Sequence, residues 1–428
     1  MRIEREVGRV EDVPALREMP FSTQYATGEK RPERTHCLCT RGEMPGRPRV
    51  AVIHDWLYTL GGAERVLSAI LRCFPDATVY TLFDKLSDDD RSSIGHSETQ
   101  TSFLQSMPGI GRWHRLYLPL MPLAVEQFDL SEYDVVISSS YAVAKGVLTG
   151  PDQLHLSYVH SPMRYAWDLQ HQYLREAGLD KGIRSWIARA LLHRMRMWDS
   201  RTAFGVDGWM ANSHFVARRI QKLYGQKAIV IPPPVKVPSS PPAAEKRDHF
   251  LTVSRLVEYK NTRSIIQAFA AFPNERLIVV GDGPERRKLE QVAGSNVEFR
   301  GYLPDDEIRR LMRRARAFVF AAEEDFGITP VESQSEGTPV IALGRGGVRE
   351  TIITTGAAPT GLFFNCATSA EIVDAVNRYL HLHETYIASE CWRNALRFSE
   401  ERFISAFTRH VQLEMASFRE RVGGGRRC

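Results

Sequence analysis

Glu324 and Glu332, two carboxylates eight positions apart, are suited to chemistry on a polyhydroxyl ligand. Each ionised carboxylate accepts hydrogen bonds from neighbouring hydroxyls, and charge-assisted bonds are roughly twice as strong as neutral ones. Two acids near one helix equally describe a solvated face. Arg255 and Lys260 stand five positions apart and combine a planar fork with a point charge. Fixed cations of this kind stabilise a diphosphate leaving group as it gains charge, although two surface cations would read the same way. Gly61-Gly62 comes just before an apolar helix pattern, where residues without Cβ let an anion approach free N–H groups. An ordinary tight turn is the alternative. The pair is not G-x-G-x-x-G, so it gives no support to a nicotinamide site. Gly281-Asp282-Gly283 permits another close backbone approach, or Asp282 simply closes a turn.

The elements that must carry these groups alternate strand and helix. Ala317 to Ala322 is an apolar run of strand length, Glu324 to Gly327 a polar turn, Thr329 to Glu336 a helix with Pro330 in its first turn, and Pro339 to Leu343 a second apolar run. Glu324 therefore falls in the loop after a strand, where open α/β sheets place their ligand crevice, and Glu332 in the helix that follows. Runs from Val50, Thr78, Asp134, Leu154, Gly208, Ala228, Phe250, Leu277 and Val297 continue the pattern, predicting doubly wound sheets. His160 leaves the end of the 154–159 strand, and Arg255 and Lys260 lie just past the strand from Phe250.

At 428 residues the chain exceeds what one core usually supports, so two domains are expected. A 43% hydrophobic and 25% charged composition is that of a folded soluble protein. The formal net charge of +5 suits anionic ligands or an anionic membrane surface and is too small to imply nucleic acid. Cysteines at 37, 39, 73, 366, 391 and 428 show no C-x-x-C spacing. They indicate a reducing compartment and no structural zinc, with Cys37 and Cys39 leaving room for a stray metal or disulfide. Asp88 to Asp90 reads as a helix start and not as a metal site. No run is apolar enough to cross a bilayer or form a signal core, so a cytoplasmic protein is expected, free or on the membrane surface.

The expected organisation is a disordered extension over 1–48, with Met44 as an alternative start, a first α/β domain over 49–205, a second over 206–385, and helices with a frayed tail over 386–428. Pro232 to Pro242 is read as a connector inside the second domain. Residues 103–128 mix Trp113, Tyr117, Arg112, His114 and Arg115 with leucines, a composition that suits a membrane interface, a lipid-linked acceptor, or irregular helices packed on a sheet. Ile183 to Arg201 places Ile183, Trp186, Ile187, Ala190, Leu191, Met195 and Trp198 near one helical face, and is read as a core-packed helix with a solvated basic side, binding to anionic lipid being the alternative.

E-x7-E, followed by Glu336-G-T-P-V-I, resembles the signature of glycosyltransferase family 4, and the likeness runs roughly from Arg49 to Val411. It implies an α/β chain of GT-B architecture, two Rossmann-like domains facing a cleft, with the acceptor held by the domain over 49–205, the sugar nucleotide by that over 206–385 and the helices over 386–428 crossing back to the first, and retaining transfer from a nucleoside-diphosphate sugar to a hydroxyl. On that likeness Arg255 and Lys260 grip the donor diphosphate and Gly61 and Gly62 lie against it. Glu324 holds hydroxyls of the sugar and Glu332 the ribose, while His160, followed by Ser161-Pro162, reaches the transferred sugar. Gly281, Asp282, Phe326, Gly327 and Ile328 complete the donor site. H-D-W-L and E-D-F-G-I look most like the mannosyltransferase branch, implying a GDP-sugar and a glycan or lipid-linked glycan acceptor in surface polysaccharide synthesis. No metal or other cofactor is required. The rivals are a sugar-nucleotide epimerase, a phosphorylase, for which no pyridoxal-binding lysine is identifiable, and a non-enzymatic sugar-nucleotide binding protein.

Overall fold

The computed structural model describes residues 48–95, 99–243 and 247–423. The expected extension over 1–48, except Pro48, and the tail from 424 lie outside the described residues, as do Cys37, Cys39 and Cys428. Two parallel sheets account for the described strands. The first contains β1 Val50–His54, β2 Thr78–Thr81, β3 Thr99–Thr101, β4 Val135–Ser140, β5 Leu154–Val159, β6 Gly208–Ala211 and β7 Ile229–Val230, in spatial order 3-2-1-4-5-6-7. The second contains β8 His249–Val253, β9 Leu277–Val280, β10 Val297–Gly301, β11 Ala315–Phe320, β12 Val340–Leu343 and β13 Gly361–Phe364, in order 10-9-8-11-12-13.

Parallel strands covered on both faces need apolar side chains on both, and β1 and β5 are buried throughout. In the first sheet Val52 packs with Leu67, Tyr158 and Phe407 on one face, while Ile53 packs with Phe83, Met121 and Met163 on the other. The period of two is equally clear in β11, where Ala317 and Val319 join one core and Phe318 and Phe320 the opposite one.

Helices α1 Gly62–Cys73, α2 Gly182–Thr202, α3 His214–Tyr224, α4 Ile328–Ser335 and α5 Glu400–Gly423 bear most on the site and its frame. Because β6 and β7, with α3 between them in the chain, belong to the first sheet, the expected boundary at 205/206 falls inside that sheet. Pro232 to Pro242 runs between the sheets and not within the second one. The chain returns through Phe398, whose carbonyl accepts Val235 N–H at 2.9 Å. Then α5 packs Phe403, Phe407 and Val411 into the first sheet's core beside α1.

Burial bears on two other expectations. The 103–128 segment is a series of short helical turns that buries Leu104, Ile110, Met121, Ala124 and Val125 but leaves Trp113, Leu116 and Leu123 exposed. The core-packed reading of α2 fails for its first half: Ile183 and Trp186 face solvent, and burial is confined to Ser185, Met195 and Asp199. Helical spacing places residues on a face without saying whether anything covers it. Asp88 to Asp90 open a helix capped by Ser87, whose Oγ accepts Asp90 N–H at 3.2 Å.

A buried ion pair ties α2 and α3 to the loop after β4. Lys145 Nζ lies 2.8 Å from Asp199 Oδ1 and donates to Thr202 Oγ1 at 2.9 Å. Asp199 Oδ2 accepts Trp167 Nε1–H at 2.7 Å and Tyr224 O–H at 2.8 Å. Such a pair is tolerable in a low dielectric only because further hydrogen bonds satisfy the remaining atoms.

Candidate functional site

The C-terminal ends of both sheets meet around a cavity of about 700 Å³. Strand ends of parallel sheets present loops and helix N-termini, so chemistry-bearing side chains converge there. From the first sheet come Gly61, Gly62, Arg65, His160 and Arg164; from the second come Arg255, Glu324, Phe326, Gly327, Ile328 and Glu332.

Both carboxylates are held by cations. Glu324 forms an ion pair with Lys260, and Glu332 one with Arg65, which reaches across from α1 and also donates to Asp305 Oδ2 at 2.9 Å. Burial, with Arg164 adding to it, pulls the Lys260 ammonium down to about 8, while its ion pair with Glu324 acts the other way. Lys260 therefore acts on the cavity through Glu324 and does not line it in this conformation.

The loop carrying Glu324 is anchored from the opposite sheet. Asp325 Oδ1 accepts Arg219 Nη1–H at 2.7 Å, its backbone oxygen accepts Ser213 O–H at 2.5 Å, and Arg164 lies 3.4 Å from Oδ2. Glu350 accepts the N–H groups of His214 and Phe215 at 2.8 Å each, at the start of α3. Gly327 begins α4 in the left-handed region at φ 84°, and a Cβ there would sit 2.9 Å from Val348. Gly62 is placed differently. A Cβ on it would lie 2.7 Å from Ile328 Cδ1, so the two halves touch at this point.

His160 sits in a hydrogen-bonded chain. Its Nε2 is 2.8 Å from Ser139 Oγ, which is 3.1 Å from His54 Nδ1, and His54 Nε2 faces the Glu64 carboxylate at 3.5 Å. A carboxylate only accepts, so Glu64 favours a proton on His54 Nε2. Burial and the nearby His54 push His160 down to about 3, so it is a neutral polar group at physiological pH. Glu64 Oε2 also accepts Gly61 N–H at 2.8 Å, linking the glycine pair to the same chain.

Several expectations are modified by this geometry. Gly281 and Asp282 do not line the cavity. At Gly281, φ 125°, a Cβ would lie 1.9 Å from Ser254 O, so the glycine serves the close approach of two strand ends. Asp282 closes its turn by accepting Gly283 N–H at 2.7 Å. Phe326 is buried against Phe398, with ring centroids 5.4 Å apart, and supports the loop by packing. Arg65, Arg164, His54 and Ser139 were not foreseen; Arg65 meets a partner 267 positions away, which local spacing cannot signal. Among the described residues no group of acids, histidines or cysteines could hold a metal ion.

Residues 236–390, which include the whole second sheet, match the family model of glycosyl transferases group 1. The solved structure of HepE from Anabaena in complex with UDP superposes with a TM-score of 0.64 at 18% identity, covering 85% of this chain and 99% of that one. Sucrose-phosphate synthase from Thermosynechococcus elongatus superposes at 0.66 with 17% identity, covering 87% and 100%. The fold is GT-B.

Among curated relatives of this GT-B chain, the sulfoquinovosyl transferase SQD2 of Arabidopsis thaliana is 30% identical over 31% of the chain and 26% of that protein. A GDP-mannose-dependent phosphatidylinositol dimannoside mannosyltransferase of Mycobacterium tuberculosis is 26% identical over 37% and 47%. The chain thus spans about a quarter to a half of the length of the curated relatives it matches.

Proposed function

We propose that this GT-B chain is a retaining glycosyltransferase of family 4, moving a hexose from a nucleoside-diphosphate sugar to a hydroxyl of a glycan or lipid-linked glycan in surface polysaccharide synthesis. The observation that carries the reading is the convergence on one cavity of Glu324, Glu332 with Arg65, Arg255 and His160, with Lys260 paired to Glu324. Cations for a diphosphate and acceptors for sugar hydroxyls thereby share one cleft. Mannose and a GDP donor are favoured by the H-D-W-L and E-D-F-G-I segments and by the GDP-mannose-dependent enzymes of Corynebacterium and Mycobacterium among the relatives. Other relatives are named as glucosyl and sulfoquinovosyl transferases, and HepE was solved with UDP, so donor choice is the first quantity to test. No described helix is long and apolar enough to cross a membrane, and the proposed setting is cytoplasmic with peripheral membrane contact.

In this mechanism the donor replaces the internal ion pairs. Ribose hydroxyls take Glu332 from Arg65, sugar hydroxyls take Glu324 from Lys260, and Lys260 and Arg255 turn to the phosphates. The bond from the sugar's anomeric carbon to the diphosphate breaks with its electron pair leaving on phosphate oxygen, where both cations oppose the developing charge. The acceptor oxygen bonds to the same face and gives its proton to the leaving phosphate, so configuration is retained. Neutral His160 hydrogen-bonds the sugar without adding charge. Arg, Lys and N–H groups neutralise the diphosphate, so the reading requires no metal.

The test is thermal unfolding of the purified chain with GDP, UDP and ADP, followed by sugar conjugates of whichever binds. A nucleoside diphosphate at a hundredfold excess over Kd is expected to stabilise the chain by about 2.7 kcal/mol. GDP selectivity supports the mannosyl reading, and UDP or ADP selectivity replaces that donor. No stabilisation by any of them overturns the transferase reading. Turnover of the bound sugar nucleotide without an acceptor would support the epimerase instead.

A further inference from the structure

The two faces of α2 have opposite fates. Met195 and Asp199 are buried, and Leu192, one turn before Met195, is partly covered. The opposite face carries Ile183, Trp186 and Ile187, exposed to 75%, 74% and 57%, and continues to Met197 and, just past the helix, Phe204. Single exposed apolar side chains are ordinary on a folded surface; a run of large ones along one helix marks an interaction site. Arg194 and Arg201 are exposed among them, and Lys181 and Arg184 are exposed at the apolar end. The helix holds five arginines and one acid, Asp199, which is buried in its pair with Lys145. Its solvent side is therefore apolar and cationic, and Asp180, exposed just before Lys181, is the acid that adjoins it.

We propose that this face docks on the surface of an anionic lipid bilayer. The charge pattern selects the occupant. A twofold contact between copies of the chain would set the face against itself, bringing arginine to arginine with no carboxylate on the helix to pair them. An anionic bilayer accepts both components: Ile183, Trp186 and Ile187 enter the boundary between headgroups and acyl chains, while Lys181, Arg184, Arg194 and Arg201 meet phosphate headgroups. The helix lies along the interface and does not span it. Its five arginines exclude a span, and its buried side stays fixed to the first sheet through Asp199 and through Arg196, which donates to Ala166 O at 2.8 Å. The membrane contact in the proposed function thereby acquires a definite surface, one that does not depend on which donor is used.

The test is co-sedimentation of the full chain with phosphatidylcholine vesicles, with and without phosphatidylglycerol. Wild type is expected to bind the phosphatidylglycerol vesicles and not the neutral ones. Ile183→Glu/Trp186→Glu is expected to lower the partition coefficient at least tenfold, and Arg184→Glu/Arg194→Glu to lower it and reduce its salt dependence. Circular dichroism melting checks that each variant is folded. Nucleotide binding, measured separately and expected to be unchanged, keeps a failure here distinct from a failure of the transferase reading. The proposal is overturned by absent binding to phosphatidylglycerol vesicles, or by undiminished binding of folded Ile183→Glu/Trp186→Glu. It is also overturned if the loss follows Trp113→Glu/Leu116→Glu instead, or if wild type is a lipid-free dimer that the α2 variant converts to monomer.

Discussion

Lys260→Ala is expected to reduce kcat/KM for the sugar nucleotide about a hundredfold or more while leaving the fold intact. It removes a cation from the leaving diphosphate, the kind of group whose loss costs two to three orders of magnitude in other transfer enzymes. Glu324→Ala is expected to cost a similar factor by withdrawing the acceptor for sugar hydroxyls. Because Lys260 and Glu324 pair with each other before the donor arrives, each single variant also leaves a partner uncompensated. The double variant should therefore lose less than the product of the two single losses. Steady-state kinetics with the donor found by thermal unfolding decides the matter, and near-normal turnover in either variant removes that residue from the mechanism.

The same lysine gives the site a pH dependence with opposite senses for binding and folding. Its ammonium titrates at about 8 in the free protein, against 10.5 ordinarily. Diphosphate binding needs the charged form, so nucleotide affinity is full below pH 8 and weakens above it by up to tenfold per unit, until the ligand-bound lysine itself titrates. For folding, the unfolded chain binds more protons between pH 8 and 10.5, so the cost of burying this lysine is present below pH 8 and relieved as pH rises through that window. Calorimetric titration from pH 7 to 9 should show the weakening. Lys260→Arg, charged throughout, should flatten it.

The second large effect concerns stability. Asp199→Ala is expected to destabilise the chain by about 3–5 kcal/mol, because it strands the buried Lys145 ammonium together with Trp167 Nε1–H and Tyr224 O–H. Lys145→Met should cost less, since those two donors still solvate the remaining carboxylate. Urea unfolding of the two variants measures the order. A loss below about 1 kcal/mol for Asp199→Ala would show that water reaches the pair.

Much of the site was legible because its elements are short, apolar and punctuated. The strand, turn, helix and strand from Ala317 to Leu343 follow from run lengths, Gly327 and Pro330, and they place Glu324 and Glu332 on one cavity. Sheet membership was not legible. The β6 and β7 runs look the same whichever sheet they join, and only pairing with β5 assigns them to the first. Gly281 shows a related limit: sequence signals that backbone comes close there, but whether the neighbour is a ligand or Ser254 is a tertiary fact. Arg65 and Arg164 belong to the same class, since each acts on a carboxylate carried by the other sheet.

The return of α5 to the first sheet affects how the chain can be assembled. Phe403, Phe407 and Val411 complete a core begun by Val66, Leu67 and Ile70 of α1. During synthesis the first half therefore emerges with an unfilled apolar groove beside α1 that stays open while the whole second half is made. No single cut separates two self-sufficient pieces. A fragment ending near Ile231 lacks part of its own core, and the complementary fragment carries a helix with nothing to cover it. A split version should recover only when both pieces are present together, with α5 acting as the strap that rejoins them.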